Sequence, residues 1–243
     1  MLLNCDLGES FGNWRLGCDG DVMVFLDQAN VATGFHAGDP LTMEQTLSLA
    51  AQHQVSVGAH PSYPDLVGFG RRSMALSGAE LRATLLYQIA AIDGVARVTG
   101  AQLDYVKPHG ALYNDMMAND SIRLTIMQTV AAYPKSLKLM IQATMDAPKH
   151  REEAQQQGLS LFFEAFADRC YDDDGRLLSR RKDGAVHSKE RMLAQVRELV
   201  DSGSVTTVSG KQLALEVDSL CVHGDNDEGV RAIRAIRDIV SGP

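Results

Sequence analysis

Four histidines of this sequence fall in short segments rich in glycine, alanine or proline: Gly34-Phe35-His36-Ala37-Gly38, Gly58-Ala59-His60-Pro61, Lys107-Pro108-His109-Gly110 and Cys221-Val222-His223-Gly224. Imidazole changes charge near neutral pH and also binds metals, so such residues can act as acids, bases or ligands. Side chains two apart on a strand share a face. Asn4 and Asp6 are therefore expected to point the same way, as are Lys107 and His109, and His223 and Asp225. Asp6, His36 and His60 together offer one carboxylate and two imidazoles. That set suits a divalent metal, and it suits a metal-free acid/base arrangement equally well. Glu164, Asp168 and Arg169 close another such segment. A carboxylate beside arginine is commonly a structural ion pair. Glu164 and Asp168 also share one strand parity, and facing histidines they can split into acid and base.

The acid/base candidates are thus Asp6, His36, His60, His109, Asp168 and His223. For holding a ligand, the same segments supply Asn4, Glu9, Lys107, Asn114, Glu164 and Arg169. A further loop, Val67-Gly68-Phe69-Gly70-Arg71-Arg72, adds two guanidinium forks suited to carboxylate or phosphate. A Walker loop is absent: six residues separate Gly203 from Gly210-Lys211, and no Ser or Thr follows the lysine. No Gly-x-Ser-x-Gly elbow occurs, which argues against a serine hydrolase. His53, His150 and His187 lie in helical or polar contexts and read as surface residues. Cys5, Cys18, Cys170 and Cys221 form no Cys-x-x-Cys pair, and most sit beside apolar runs as small buried hydrophobes.

What must position these groups is an alternation of short apolar runs and longer amphipathic ones. Candidate strands cover residues 2–5, 29–33, 55–59, 103–106, 137–141, 159–163 and 219–222. Their length and apolar character suit a parallel sheet buried on both faces. Candidate helices cover residues 42–53, 121–132, 145–157 and 189–202. A capping box at Ser77-Gly78-Ala79-Glu80 opens another, and Asp225-Asn226-Asp227-Glu228 opens the last. Residues 205–217 suggest a small hairpin. The chemistry-bearing segments follow nearly every strand, as a β/α barrel requires; an open doubly wound sheet would gather them at one switch point. The expectation is one seven-stranded, TIM-like α/β barrel over residues 1–243.

Composition narrows the function. The chain has 243 residues, 45% hydrophobic and 22% charged, as in ordinary globular proteins. Its net charge of −8 and short basic runs, Arg71-Arg72 and Arg180-Arg181-Lys182, argue against nucleic acid. The longest charge-free stretch, residues 45–64, is broken by Gln, His and Pro, so no membrane span is expected. No basic, then apolar, secretory leader opens the sequence, and a cytoplasmic location is expected.

The motifs together resemble the LamB/YcsF family. They are Asp6-Leu7-Gly8-Glu9, the runs at residues 29–40 and 58–72, Val106-Lys107-Pro108-His109-Gly110-Ala111-Leu112-Tyr113-Asn114, Phe166-Ala167-Asp168-Arg169 and Cys221-Val222-His223-Gly224-Asp225. The resemblance implies a seven-stranded barrel similar to the glycoside hydrolase/deacetylase superfamily. It also implies ATP-dependent opening of 5-oxo-L-proline to L-glutamate with 5-oxoprolinase subunits B and C. The ATP site would be shared with, or lie in, a partner. Thr33 stands where the family commonly has Cys, and Cys5 where it commonly has Ala, so neither thiol is essential. Residues 142–150 and 180–184 also depart from the family pattern. Two other functions fit the same residues: a metal-dependent amidase or deacetylase acting alone, and a non-catalytic substrate-binding protein that only delivers its ligand to partners.

Overall fold

The computed structural model describes residues 1–178, 182–223 and 227–242. Asp225, the start of the last helix at Asp225-Asn226, and the Arg180-Arg181 run therefore lie outside the described residues. Seven strands close a parallel barrel in the order β1 (Leu2–Leu7), β2 (Gln28–Ala32), β3 (Ser56–His60), β4 (Leu103–Val106), β5 (Lys138–Gln142), β6 (Leu161–Phe166) and β9 (Ser219–Val222). The short strands β7 (Ser204–Thr206) and β8 (Gln212–Ala214) pair antiparallel outside it, forming the expected hairpin. The closed order excludes the open sheet.

Helices α1 (Asp19–Val22), α2 (Pro40–His53), α3 (Gly78–Thr99), α4 (Gly110–Ala118), α5 (Asp120–Ala131), α6 (Ala147–Gln156), α7 (Lys189–Ser202) and α8 (Asp227–Ser241) lie between and after the strands. Local chemistry sets several starts. The Ser77 hydroxyl accepts from Glu80 N, while Ser77 N donates to the Glu80 carboxylate at 2.7 Å, so α3 opens on the expected capping box. Asp39 caps α2 by accepting from Leu41 N and Thr42 N, with Pro40 following. The four-residue α1 and the nine-residue α4 carry no side-chain cap, and sequence reading missed both. Strand β6 starts later than expected because Leu159 closes the turn after α6, its N–H reaching Ala154 O at 2.9 Å.

Each strand has two faces. The outward one, with Leu3, Cys5, Val31, Val57 and Ala59, joins Leu47, Leu85, Ile89, Ile92 and Val196 of the helices in one apolar core. The inward one is polar on β1 and β2, contrary to the reading of strands apolar throughout, while β5 and β6 also contribute Met140 and Phe162 to it. Asn4 Nδ2 donates to Ser219 Oγ at 2.7 Å, and Ser219 Oγ to Gln28 Oε1 at 2.6 Å. Asn30 Nδ2 donates to Asn4 Oδ1 and Asp6 Oδ1, both at 2.8 Å, and Asn30 Oδ1 accepts from Tyr105 OH at 2.6 Å. Buried polar groups persist only when paired in this way. Tyr105 has room because Gly58 sits beside it; a Cβ there would lie 2.2 Å from its ring. Gly58→Ala is expected to cost about 1–3 kcal/mol through overpacking. A urea midpoint equal to that of the unmodified chain would contradict this. Among the described residues no helix is long and apolar enough to cross a membrane.

Candidate active site

The C-terminal ends of the barrel strands surround a cavity of about 550 Å³. Its floor is built on Lys107, which follows β4 and is 3% exposed. The ammonium lies 2.8 Å from Asp6 Oδ1 and 2.7 Å from Glu164 Oε1, with Cys221 Sγ at 3.3 Å. Glu164 Oε2 accepts from Tyr113 OH at 2.8 Å. Burial alone would push the Asp6 carboxyl up, but the Lys107 ammonium and the His60 imidazole outweigh it and hold Asp6 well below the usual carboxylate range. Burial would likewise lower the Lys107 ammonium, and Asp6, Cys221 and Glu164 reverse this and hold it well above its ordinary value. Burial itself pushes the Cys221 thiol and the Tyr113 phenol up. The floor thus sets the Lys107 ammonium between Asp6 and Glu164.

One wall is an imidazole cluster. His36 and His109 stack at 3.7 Å, and His60 stands edge-on to both. Glu9 Oε1 reaches His36 Nε2 at 3.3 Å. Burial, together with the neighbouring imidazoles, lowers His36 and His109 well below the ordinary imidazole range. The loop after β3 presses on the cluster: Gly70 has φ +64°, and a Cβ on it would lie 2.8 Å from His36 Cβ and 2.9 Å from His109 Cδ2. Glycine is what lets the backbone approach so closely. On the opposite wall His223 Nδ1 faces both Asp168 oxygens at 2.9 and 3.0 Å, and the ring stacks on Phe166. A carboxylate only accepts, so Nδ1 carries the proton and Nε2 is left to exchange one with the cavity. Arg71, Asn114 and Arg169 complete the lining, with Arg71 over the Phe69 ring.

Several expectations need correction. The trio Asp6, His36 and His60 is not one group. Asp6 turns to Lys107 and Asn30, with His60 Nε2 at 3.4 Å, whereas Glu9 is the carboxylate beside His36. Arg72 does not line the cavity; its guanidinium pairs with the buried Asp65 carboxylate and stiffens the loop. Asn4 and Glu164 lie beneath the floor, at 0% exposure, where they hold Lys107 instead of lining the cavity. Glu164, Asp168 and Arg169 each meet a group outside the trio: Lys107, His223 and the Leu178 carbonyl. His150 is buried, not on the surface, and His187 bonds Gln195. Sequence reading missed Asn30, Tyr105, Tyr113 and Gln88. The Gln88 amide, reaching from α3, holds Thr33 Oγ1 and both backbone groups of Ser62. Asn30 stands between Ala29 and Val31 on β2, two residues after Gln28 and on the same face, a signal that was available.

Fold and site together define a parallel β/α barrel with a polar, charge-balanced cavity at its C-terminal mouth, where proteins of this architecture hold their ligands. The chain belongs to the LamB/YcsF family, whose model matches residues 1–242. It is 52% identical over 238 residues to the 5-oxoprolinase A subunit of Pseudomonas fluorescens, covering 98% of this chain and 95% of that one. It is 52% identical over 242 residues to the protein of that name from Chromohalobacter salexigens, covering 99% and 97%. The crystal structure of a lactam utilization protein from Thermus thermophilus superposes with a TM-score of 0.89 at 36% identity, covering 99% of this chain and 96% of that one.

Proposed function

We propose that this chain is the A subunit of a cytoplasmic ATP-dependent 5-oxoprolinase, which opens 5-oxo-L-proline to L-glutamate with subunits B and C. The observation that carries the reading is one cavity faced by Lys107, by the His223–Asp168 dyad and by the Arg71 guanidinium. Similarity to relatives named for that activity supports it.

An unstrained lactam is a poor electrophile. Transfer of the γ-phosphoryl of ATP to the amide oxygen, with release of ADP, makes the ring carbon attackable. Water then adds, giving its proton to His223 Nε2, and the Asp168 carboxylate stabilises the imidazolium. Collapse of the adduct breaks the ring C–N bond, the nitrogen taking the proton back from His223, and leaves an acyl phosphate on the side-chain carbon. A second water hydrolyses this acyl phosphate, and glutamate and phosphate leave. Lys107 at the floor favours negative charge on the oxygen as it develops. The absence of a Walker loop fits an ATP site shared with, or lying in, a partner.

Arg71 is the group placed to hold the substrate carboxylate. In the assembled complex Arg71→Ala is expected to raise KM for 5-oxoproline roughly tenfold, since a charge-assisted hydrogen bond is worth about 1.5 kcal/mol or more. Turnover should change less. Arg72→Ala should leave KM near its starting value, because that side chain is spent on Asp65. Equal effects of the two would contradict this assignment. The buried Glu9 and histidine cluster favours a second reading, a metal-dependent amidase acting alone, and lactam opening without ATP is what separates it from the first.

A further inference from the structure

Two imidazoles of the mouth point lone pairs at each other. His60 Nδ1 lies 2.7 Å from the Lys107 carbonyl oxygen, and His109 Nε2 lies 2.9 Å from the Phe69 carbonyl oxygen. A carbonyl oxygen only accepts, so each neutral ring spends its N–H there and its tautomer is fixed. In those neutral rings the remaining nitrogens, His60 Nε2 and His109 Nδ1, stand 3.0 Å apart as two facing acceptors, and Asp6 Oδ2 is a further acceptor 3.4 Å from His60 Nε2. Glu9 Oε1 is another acceptor, 3.7 Å from His109 Nδ1 and 3.3 Å from His36 Nε2. His36 adds to the imbalance, because its Nδ1 is buried without a hydrogen-bond partner. If Nε2 donates to Glu9, the Nδ1 lone pair is orphaned; if Nδ1 carries the proton, the Nε2 lone pair faces a carboxylate. Either way a buried polar atom stays uncompensated.

We propose that Glu9, His36, His60 and His109 form a binding site for one divalent cation of the zinc type, held by three imidazole nitrogens and one carboxylate oxygen. A cation bound by His36 Nε2, His60 Nε2, His109 Nδ1 and Glu9 Oε1 gives the facing lone pairs a common partner, with the His36 proton then on Nδ1. Donor atoms at 2.0–2.1 Å from a tetrahedral centre stand roughly 3.3–3.4 Å apart. The three separations given above, 3.0, 3.3 and 3.7 Å, straddle that value, and all four donors lie within 4.8 Å of one another. Backbone carbonyls that take the N–H of His60 and of His109 are the kind of partner that orients metal-bound imidazoles. The four residues follow β1, β2, β3 and β4 or end them, so one ion would tie four neighbouring strand ends together. Glu9, His60 and His109 also line the cavity, which places the ion at its wall.

The test is a metal titration that needs no substrate and no ATP, so its result is independent of the function proposed above. The full chain is stripped with a chelator and titrated with Co(II), then with Zn(II). One Co(II) per chain is expected, with the visible bands of a tetrahedral nitrogen–oxygen site, no thiolate charge-transfer band, and displacement by Zn(II). Glu9→Gln and His109→Gln should each weaken binding ~100-fold or more, since even outer-sphere changes at such sites cost 10–100-fold. Cys221→Ser should leave the spectrum unchanged. Failure of the unmodified chain to take up a stoichiometric ion overturns the proposal and leaves a shared proton as the occupant. So does binding that survives in a folded His36→Gln/His109→Gln variant. A thiolate band lost in Cys221→Ser would move the ion to the neighbouring Asp6, Cys221 and His223 group and overturn it equally. Should the variants fail to fold by circular dichroism, the titration and spectrum of the unmodified chain decide alone.

Discussion

Lys107→Met is expected to destabilise the chain by about 3–5 kcal/mol, because removing one partner of a buried ion pair leaves the other charge uncompensated. Here two carboxylates would be stranded: Asp6 and Glu164 lie 2.8 and 2.7 Å from the ammonium, and each is largely or wholly buried. The loss should depend on pH in a definite direction. In the unmodified chain Asp6 is held below its ordinary value, so it contributes stability that is present above the unfolded carboxylate range and lost as pH falls through the folded value. Without the lysine, burial dominates and Asp6 takes up a proton more readily. The deficit of the variant should therefore be largest near neutral pH and shrink towards acid. Urea unfolding at pH 7 and again in mild acid checks both statements. A variant as stable as the parent at pH 7 would mean that the floor is not held by this charge balance.

Asp6→Asn is the second large effect. The amide keeps the shape but loses the charge that sits 2.8 Å from Lys107 Nζ and 3.4 Å from His60 Nε2. Turnover of the assembled complex should fall by ~10²–10³, the usual cost of disturbing a group that stabilises developing negative charge, because Asp6 holds the Lys107 ammonium in place. KM for 5-oxoproline should move far less. The bland alternative, in which Asp6 only caps the following turn, finds no support: Gly8 N donates to Asp19 Oδ2 instead. Near-normal turnover of this one variant would remove Asp6 from the machinery.

Much of this architecture was legible because its signals are local. Short apolar runs mark the barrel strands, and Ser77 with Glu80, or Ser188 before α7, mark helix starts within a few residues. The mouth was legible because chemistry-bearing residues cluster at strand ends. What escaped depends on partners distant in sequence. Nothing near Lys107 announces Asp6 and Glu164 as its neighbours. Adjacent Arg71 and Arg72 look alike until the chain sends one to the cavity and the other to Asp65. Helix α4 begins at Gly110 without a side-chain cap, so Tyr113 and Asn114 read as loop. Glu9 replaces Asp6 beside His36 because it lies on the loop beyond β1, where strand parity no longer applies.

The central claim is that this chain opens a lactam only as one member of an ATP-coupled assembly. It is tested most directly by measuring 5-oxoproline-dependent release of ADP and formation of glutamate, with the purified chain alone and with the partner subunits B and C added. Almost no turnover is expected from the chain alone, with ADP and glutamate appearing together once the partners are present. Robust opening of 5-oxoproline by the chain alone, without ATP, would contradict the claim.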